Sequence, residues 1–281
     1  MSDNPTTTRW IRLDGAVNVR DLGGLPAGNG ARVQRDRLIR SDNLQALSDA
    51  DVRLLVDEHH VRAVADLRTG VEVDAEGPGP ITREPLVDVG HFSLFPEVGR
   101  NTDAAALEDD TTGEAPVVLP WQNRDRPRPS VPGGPAVRGA AAVYLGYLQE
   151  RADSAIAALR LIAGTDGATI VHCAAGKDRT GVVVALALAE VGVPRAAIVE
   201  DYALSGERIE RIFERLMGSR TYRADLSGQD VDRHRTRPET MEQLLDAIDG
   251  GSGGVPAWLR SHGWTDGDAA RLRANLLDGT R

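Results

Sequence analysis

Apolar residues along the chain fall into two rhythms. Ala168-Thr169-Ile170-Val171-His172 is a short β-branched run that predicts a buried strand, and Val61 to Leu67 is another, ending at the Thr69-Gly70 turn. Leu86 to Phe95 reads as a third strand, and residues 1–15 as a tail leading into a short one. Helical spacing governs the rest. Leu44 to His59 predicts a helix with Ser48 as its N-cap, and Val137 to Ala163 a long helix or helix pair. Thr180 to Val191 has strong helical periodicity, stopped by Gly192 and Pro194. Helices continue through Ile198 to Met217, and three short ones are expected at Pro238 to Ile248, Pro256 to His262 and Asp266 to Leu277. No internal repeat is visible. Strands alternating with helices predict an α/β fold, with a central, mostly parallel sheet flanked by helices on both faces.

Residues 96–135 have a different texture. Asp103, Glu108, Asp109, Asp110 and Glu114 precede Arg124, Arg126 and Arg128, which are set among prolines. Such a segment buries little apolar surface and predicts a mobile insertion, either a plain loop or a lid. Residues 1–281 are otherwise expected to form a single domain with a helical C-terminal part at 238–281.

Composition narrows the function classes. The net charge of −9 disfavours nonspecific nucleic-acid binding, which runs on Lys and Arg contacts to phosphate. The single cysteine, Cys173, excludes an intrachain disulfide framework, and the six histidines show no metal-ligand spacing. The polar N-terminus lacks the apolar core of a signal peptide, and the longest apolar run, Val182 to Ala189, is too short to span a bilayer. A cytoplasmic protein is expected; export without a cleavable signal stays open. Among 33 basic residues there is one lysine, Lys177, four residues from the lone cysteine. A chain that prefers arginine everywhere else keeps a compact ammonium there.

Strand, glycine-containing loop and helix follow one another at His172-Cys173-Ala174-Ala175-Gly176-Lys177-Asp178-Arg179-Thr180-Gly181. Backbone amides of such a loop converge on one point, and the helix N-terminus adds a favourable dipole, which makes an oxyanion site. The same field favours a thiolate at Cys173. Arg179 is placed to grip two equatorial oxygens of a bound phosphate, and Thr180 to hydrogen-bond the departing sulfur. His172 is expected to orient the loop through its ring nitrogens. Ala174, Ala175, Gly176, Lys177, Asp178 and Arg179 are the candidate substrate-binding residues. The chemistry needs no metal and no cofactor. A general acid must protonate the leaving oxygen. Asp66, at a strand end, and Asp178, inside the loop, are equal candidates, with Asp125 behind them.

The loop resembles H-C-x-x-G-x-x-R-[ST]-G, the active-site signature of cysteine-based tyrosine phosphatases, at every fixed position. Ala-Gly-Lys-Asp-Arg-Thr-Gly (175–181) is similar to a bacterial branch of that superfamily, the tyrosine/serine and lipid-like phosphatases. Asn18-Val19-Arg20-Asp21-Leu22-Gly23-Gly24, Arg40-Ser41-Asp42-Asn43-Leu44, Asp66-Leu67-Arg68, Asp201-Tyr202 and Arg237-Pro238-Glu239-Thr240 resemble the same branch in the same order. The resemblance implies a tyrosine-phosphatase-like fold and phosphotyrosine hydrolysis, often with phosphoserine/threonine and phosphoinositide activity. Substrates would be phosphorylated proteins or phosphoinositides. Lys177 and Asp178 inside the loop are similar to the pattern of lipid phosphatases, where extra positive charge meets a polyanionic headgroup. Family members can carry a helical lid, here near Ile198 to Met217 or in 96–135. Ala174 stands where related loops often hold a bulkier residue, and no Trp-Pro-Asp acid loop is present. Two other classes fit a loop cysteine: a catalytically silent phosphate-binding module, and a sulfurtransferase, which does not need Arg179 and Thr180 at this spacing.

Overall fold

Parallel strands dominate a five-stranded sheet in a computed structural model that describes residues 9–96 and 137–279. The strands are β1 (Arg20–Asp21), β2 (Leu38–Ser41), β3 (Val61–Asp66), β4 (Asp88–His91) and β5 (Ala168–His172), in spatial order β1-β2-β5-β3-β4. β1 runs antiparallel to β2 and the other pairings are parallel. Nearly all of the expected 96–135 insertion, with Asp125, lies outside the described residues.

Central β5 is buried at every position, as its β-branched run requires. Alternate residues serve opposite faces. Ile39, Val64 and Ile170 pack with Val52, Leu55, Val56 and Ile81 on one side. Leu38, Ala65 and Val171 join the larger core on the other. That larger core takes in α3 (Gly139–Glu150), α4 (Ala152–Gly164), α5 (Asp178–Glu190), α9 (Pro238–Ser252), α10 (Val255–Ser261) and α11 (Asp266–Leu276). Helix α5 is apolar around its whole circumference from Val182 to Leu188, and it is buried all round.

Several elements differ from expectation in extent. The Leu44–His59 helix begins only after Ser48, where a reciprocal Ser48/Asp51 capping box starts α1 (Asp49–Arg53); Leu54–Glu58 then widens to a π-helical turn. The third strand shrinks to Asp88–His91, an exposed edge. The long helix breaks at Arg151, whose φ/ψ of −136°/45° leaves the helical region, giving α3 and α4. Ile198 to Met217 spans α6 (Arg195–Leu204), one 3-10 turn and α7 (Ile209–Gly218). Helices α2 (Gly70–Glu76) and α8 (Arg220–Leu226) are additional.

Candidate active site

Register fixes where the loop sits. Ser41 of β2 and Asp66 of β3 both lie opposite His172 of β5, so three parallel strands end at one edge. Ligand crevices of open parallel sheets form at such carboxyl ends. Residues Cys173 to Lys177 turn there and feed directly into α5, whose first-turn N–H groups have no partners within the helix.

The loop is held from outside by its carbonyls. Backbone N–H of Asn43 donates to Ala174 O at 3.0 Å, Asn18 Nδ2 to Ala175 O at 2.9 Å, and Arg40 Nη2 to Gly176 O at 2.9 Å. Three successive carbonyls therefore point outward. Gly176 has φ +67°, and a Cβ there would lie 2.4 Å from Ser41 O, so only glycine lets the loop press against β2. Asn18 is itself aimed by Arg20 Nη1, which donates to its Oδ1 at 2.9 Å.

Beneath the loop lies a buried charge network. Asp201 of α6 accepts from Arg20 Nε at 3.0 Å, Arg40 Nη1 at 2.7 Å and Arg9 Nη1 at 3.2 Å. Burial alone would push this carboxyl up; the Arg20, Arg40 and Arg9 guanidiniums instead hold it well below the usual range. The separate motifs around Asn18, Arg40 and Asp201 thus form one foundation.

Cys173 is buried at the base of a cleft of about 360 Å³, where Ala174, Ala175, Lys177, Asp178 and Arg179 also line the wall. Arg179 is clamped by Glu72 of α2, with Nη1 to Oε2 at 2.5 Å and Nη2 to Oε1 at 2.9 Å. Glu72 is fully buried and does two further things. Its carboxylate accepts from Thr69 N at 2.7 Å, completing the capping box that starts α2, and from the Tyr222 hydroxyl at 3.0 Å. Despite burial, Arg179 keeps the Glu72 carboxyl below its ordinary value, and Glu72 holds the guanidinium well above its own. Sequence reasoning misses both Glu72 and Tyr222. The Thr69-x-x-Glu72 spacing signals a helix start, but only the fold reveals that the capping carboxylate also carries the arginine.

The acidic candidates separate. Asp178 stays with Cys173 in the cleft, its Oδ1 accepting from the Tyr144 hydroxyl and both oxygens contacting Lys177 Nζ, at 2.8 and 2.7 Å. Burial would raise its carboxyl, but Lys177 and Tyr144 hold it below the ordinary carboxylate value. Asp66 does not join them. It forms a two-pronged ion pair with Arg68 (Nε to Oδ1 3.0 Å, Nη2 to Oδ2 2.6 Å) and lines a different cavity. His172 and Arg68 hold it ionised far below the usual range in spite of burial. His172 bridges the two regions: Nδ1 lies 3.3 Å from Cys173 O and Nε2 3.6 Å from Asp66 Oδ2, and burial pushes the ring's proton affinity down. Thr180 Oγ1 is buried and has no hydrogen-bond partner among the described residues.

Ala174 packs against Tyr222, with Leu216 of α7 and Leu226 of α8 beside it, so these two helices roof the cleft. Among the described residues, no group of three or more His, Cys, Asp or Glu could hold a metal ion. None of their helices is long and apolar enough to cross a membrane.

A model of the tyrosine phosphatase family matches residues 11–278. The chain belongs to the tyrosine phosphatase family. Among relatives, it is 29% identical to the triple specificity protein phosphatase PtpB of Mycobacterium tuberculosis, over 94% of this chain and 98% of that protein. It is 28% identical to a tyrosine-protein phosphatase of Nostoc commune, over 89% of this chain and 78% of that protein. As a member of this family the chain is a cysteine-dependent phosphatase.

Proposed function

We propose that the phosphatase works through a cysteinyl-phosphate on Cys173, with Asp178 as general acid and Arg179 as the phosphate clamp. The observation that carries this reading is the outward pinning of the Ala174, Ala175 and Gly176 carbonyls; in planar trans peptides the N–H lies opposite the C=O, which supports amides that face inward. The sulfur, as thiolate, attacks phosphorus in line with the ester oxygen. The S–P bond forms as the P–O bond breaks, and the leaving oxygen takes a proton from Asp178, whose carboxylate gains it from solvent once bound phosphate draws Lys177 away. Water then attacks the phosphorus, giving its proton back to Asp178, and the sulfur departs with the S–P bonding pair. Thr180 Oγ1, buried and without a partner among the described residues, is available to stabilise that departing sulfur. Arg179, held in orientation by Glu72, stabilises charge on the equatorial oxygens together with the amides. His172 fixes the start of the loop through Cys173 O. Asp66 supports His172 and Arg68 instead of donating the proton.

Phosphotyrosine on proteins is the proposed principal substrate, with phosphoserine/threonine and phosphoinositides as further ones. The triple specificity of the mycobacterial relative and the Lys177 ammonium at the cleft wall support that breadth. Turnover of para-nitrophenyl phosphate that vanishes in Cys173→Ser is the expected result; phosphopeptide binding without turnover in the native chain would point to a silent binding module. Arg179→Lys should lose most activity, because a point charge cannot replace a planar fork. Asp178→Asn should hurt poor leaving groups far more than good ones, whereas Asp66→Asn should lower both alike. A panel of phosphopeptides and phosphoinositides ranked by kcat/KM decides the substrate order.

A further inference from the structure

We infer that Tyr144 is a positioning residue for Asp178, its hydroxyl pinning Oδ1 so that Oδ2 is the oxygen that carries the transferred proton. The inference rests on Asp178 being the acid. Tyr144 lies on α3 and is 2% exposed. Its hydroxyl donates to Asp178 Oδ1 and stands 2.8 Å from the Tyr202 hydroxyl. If Tyr202 donates to Tyr144, the Tyr144 proton is committed to the carboxylate. Tyr202 is fixed in turn: a Cβ on Gly181 would meet its ring at 2.9 Å, so glycine lets α6 dock against the turn that carries Asp178.

The two carboxylate oxygens are unequal. Oδ1 accepts from both Tyr144 and Lys177, while Oδ2 contacts only Lys177 among these two. Lys177 lines the cleft, so a phosphate dianion in the loop competes for its ammonium. When Nζ turns to the phosphate, Oδ1 keeps its tyrosine and Oδ2 loses its cation. The proton then goes to Oδ2, on a carboxyl that cannot rotate away. Other groups also face Asp178. Arg179 does so from the same turn, Tyr147 from α3, Tyr202 from α6 and His234 from the 3-10 turn at Val231–His234, and Cys173 and Asp225 of α8 line the same cleft. Burial and the Asp178 charge push Tyr144 and Tyr202 up, so both hydroxyls keep their protons through the working range.

Tyr144→Phe retains the ring packing against Tyr147 and Tyr202, at 6.0 and 6.2 Å between centroids, and removes only the hydroxyl. Removing a donor from the ionised carboxylate raises its proton affinity. The basic limb of the kcat/KM profile should therefore move up by about one pH unit, tenfold in proton affinity. Turnover of a poor leaving group should fall on the order of tenfold while a good one changes little. Added to Asp178→Asn, Tyr144→Phe should cost nothing more. An unmoved limb with an unchanged leaving-group dependence, or a loss that adds in full to that of Asp178→Asn, overturns the inference. Tyr202→Phe should give a smaller shift of the same sign, and it carries the test if Tyr144→Phe does not fold. Asp178→Asn alone separates the two levels: equal losses on good and poor leaving groups remove Asp178 as the acid. A selective loss there with a silent Tyr144→Phe removes only the role of Tyr144.

Discussion

Replacing Glu72 by glutamine is the sharpest probe of how the site is built. The side chain keeps its shape, but the charge goes and one of two acceptor oxygens becomes an N–H₂ donor. Glu72 currently accepts four hydrogen bonds: two from Arg179 at 2.5 and 2.9 Å, one from Thr69 N at 2.7 Å and one from the Tyr222 hydroxyl at 3.0 Å. Whichever way the amide turns, its N–H₂ faces two donors. Arg179, 5% exposed, loses the charge of its buried Glu72 partner. Breaking one partner of a buried ion pair costs about 3–5 kcal/mol, a large share of a domain's total of roughly 5–15 kcal/mol. Activity should fall as well, because displacing a clamp by about 1 Å costs on the order of 100-fold. Urea unfolding midpoints and kcat/KM on para-nitrophenyl phosphate, measured on one preparation, give both numbers. A Glu72→Gln chain within about 0.5 kcal/mol of native, far below the cost of breaking such a pair, with near-native turnover would refute the idea that this carboxylate anchors Arg179.

Further outcomes follow from the same network. Because Arg179 lowers the folded-state pKa of Glu72 below the ordinary 4.5, its contribution is present above that pH and is lost as pH falls through the lower folded value; the stability gap between native and Glu72→Gln should narrow on acidification, read from urea midpoints along a pH series. Gly176→Ala should abolish most turnover and lower the thermal midpoint, since the new Cβ meets Ser41 O at 2.4 Å on a left-handed backbone. Asp201→Asn leaves Arg9, Arg20 and Arg40 facing one another and should cost about 3–5 kcal/mol in chemical denaturation, with kcat/KM falling because Arg40 also holds Gly176 O.

Much of this arrangement is legible along the chain. The β-branched run before Cys173 and the apolar helix after Thr180 are local signals, and both elements form where the spacing puts them. The loop can be read because its chemistry is packed into ten consecutive residues. The anchoring of the loop cannot. Asn18, Arg40 and Asp201 stand in recognisable strings, but their convergence on one set of carbonyls depends on β2 lying beside β5, a non-local pairing that periodicity does not encode. Glu72 escapes for a related reason: Thr69-x-x-Glu72 is a complete local motif, and nothing nearby signals a partner 107 residues away. Asp66 and Asp178 look alike in sequence because each sits at the boundary between a loop and a regular element. Arg68, two residues from Asp66, claims one carboxylate, and Lys177 and Tyr144 claim the other.

The three props of the loop carbonyls precede it by well over a hundred residues; Asn18 and Ala175, for instance, are 157 apart. A receptor for phosphate therefore cannot exist in any fragment that lacks the opening stretch, nor in a chain whose first strands have come undone. Under the proposed mechanism, an oxyanion in the cup would hold the N-terminal and central parts of the polypeptide together, its gain in free energy spread over both. On that reading, product inhibition and resistance to unfolding would be two readings of one equilibrium, with bound phosphate tying the N-terminal strands to the middle of the chain.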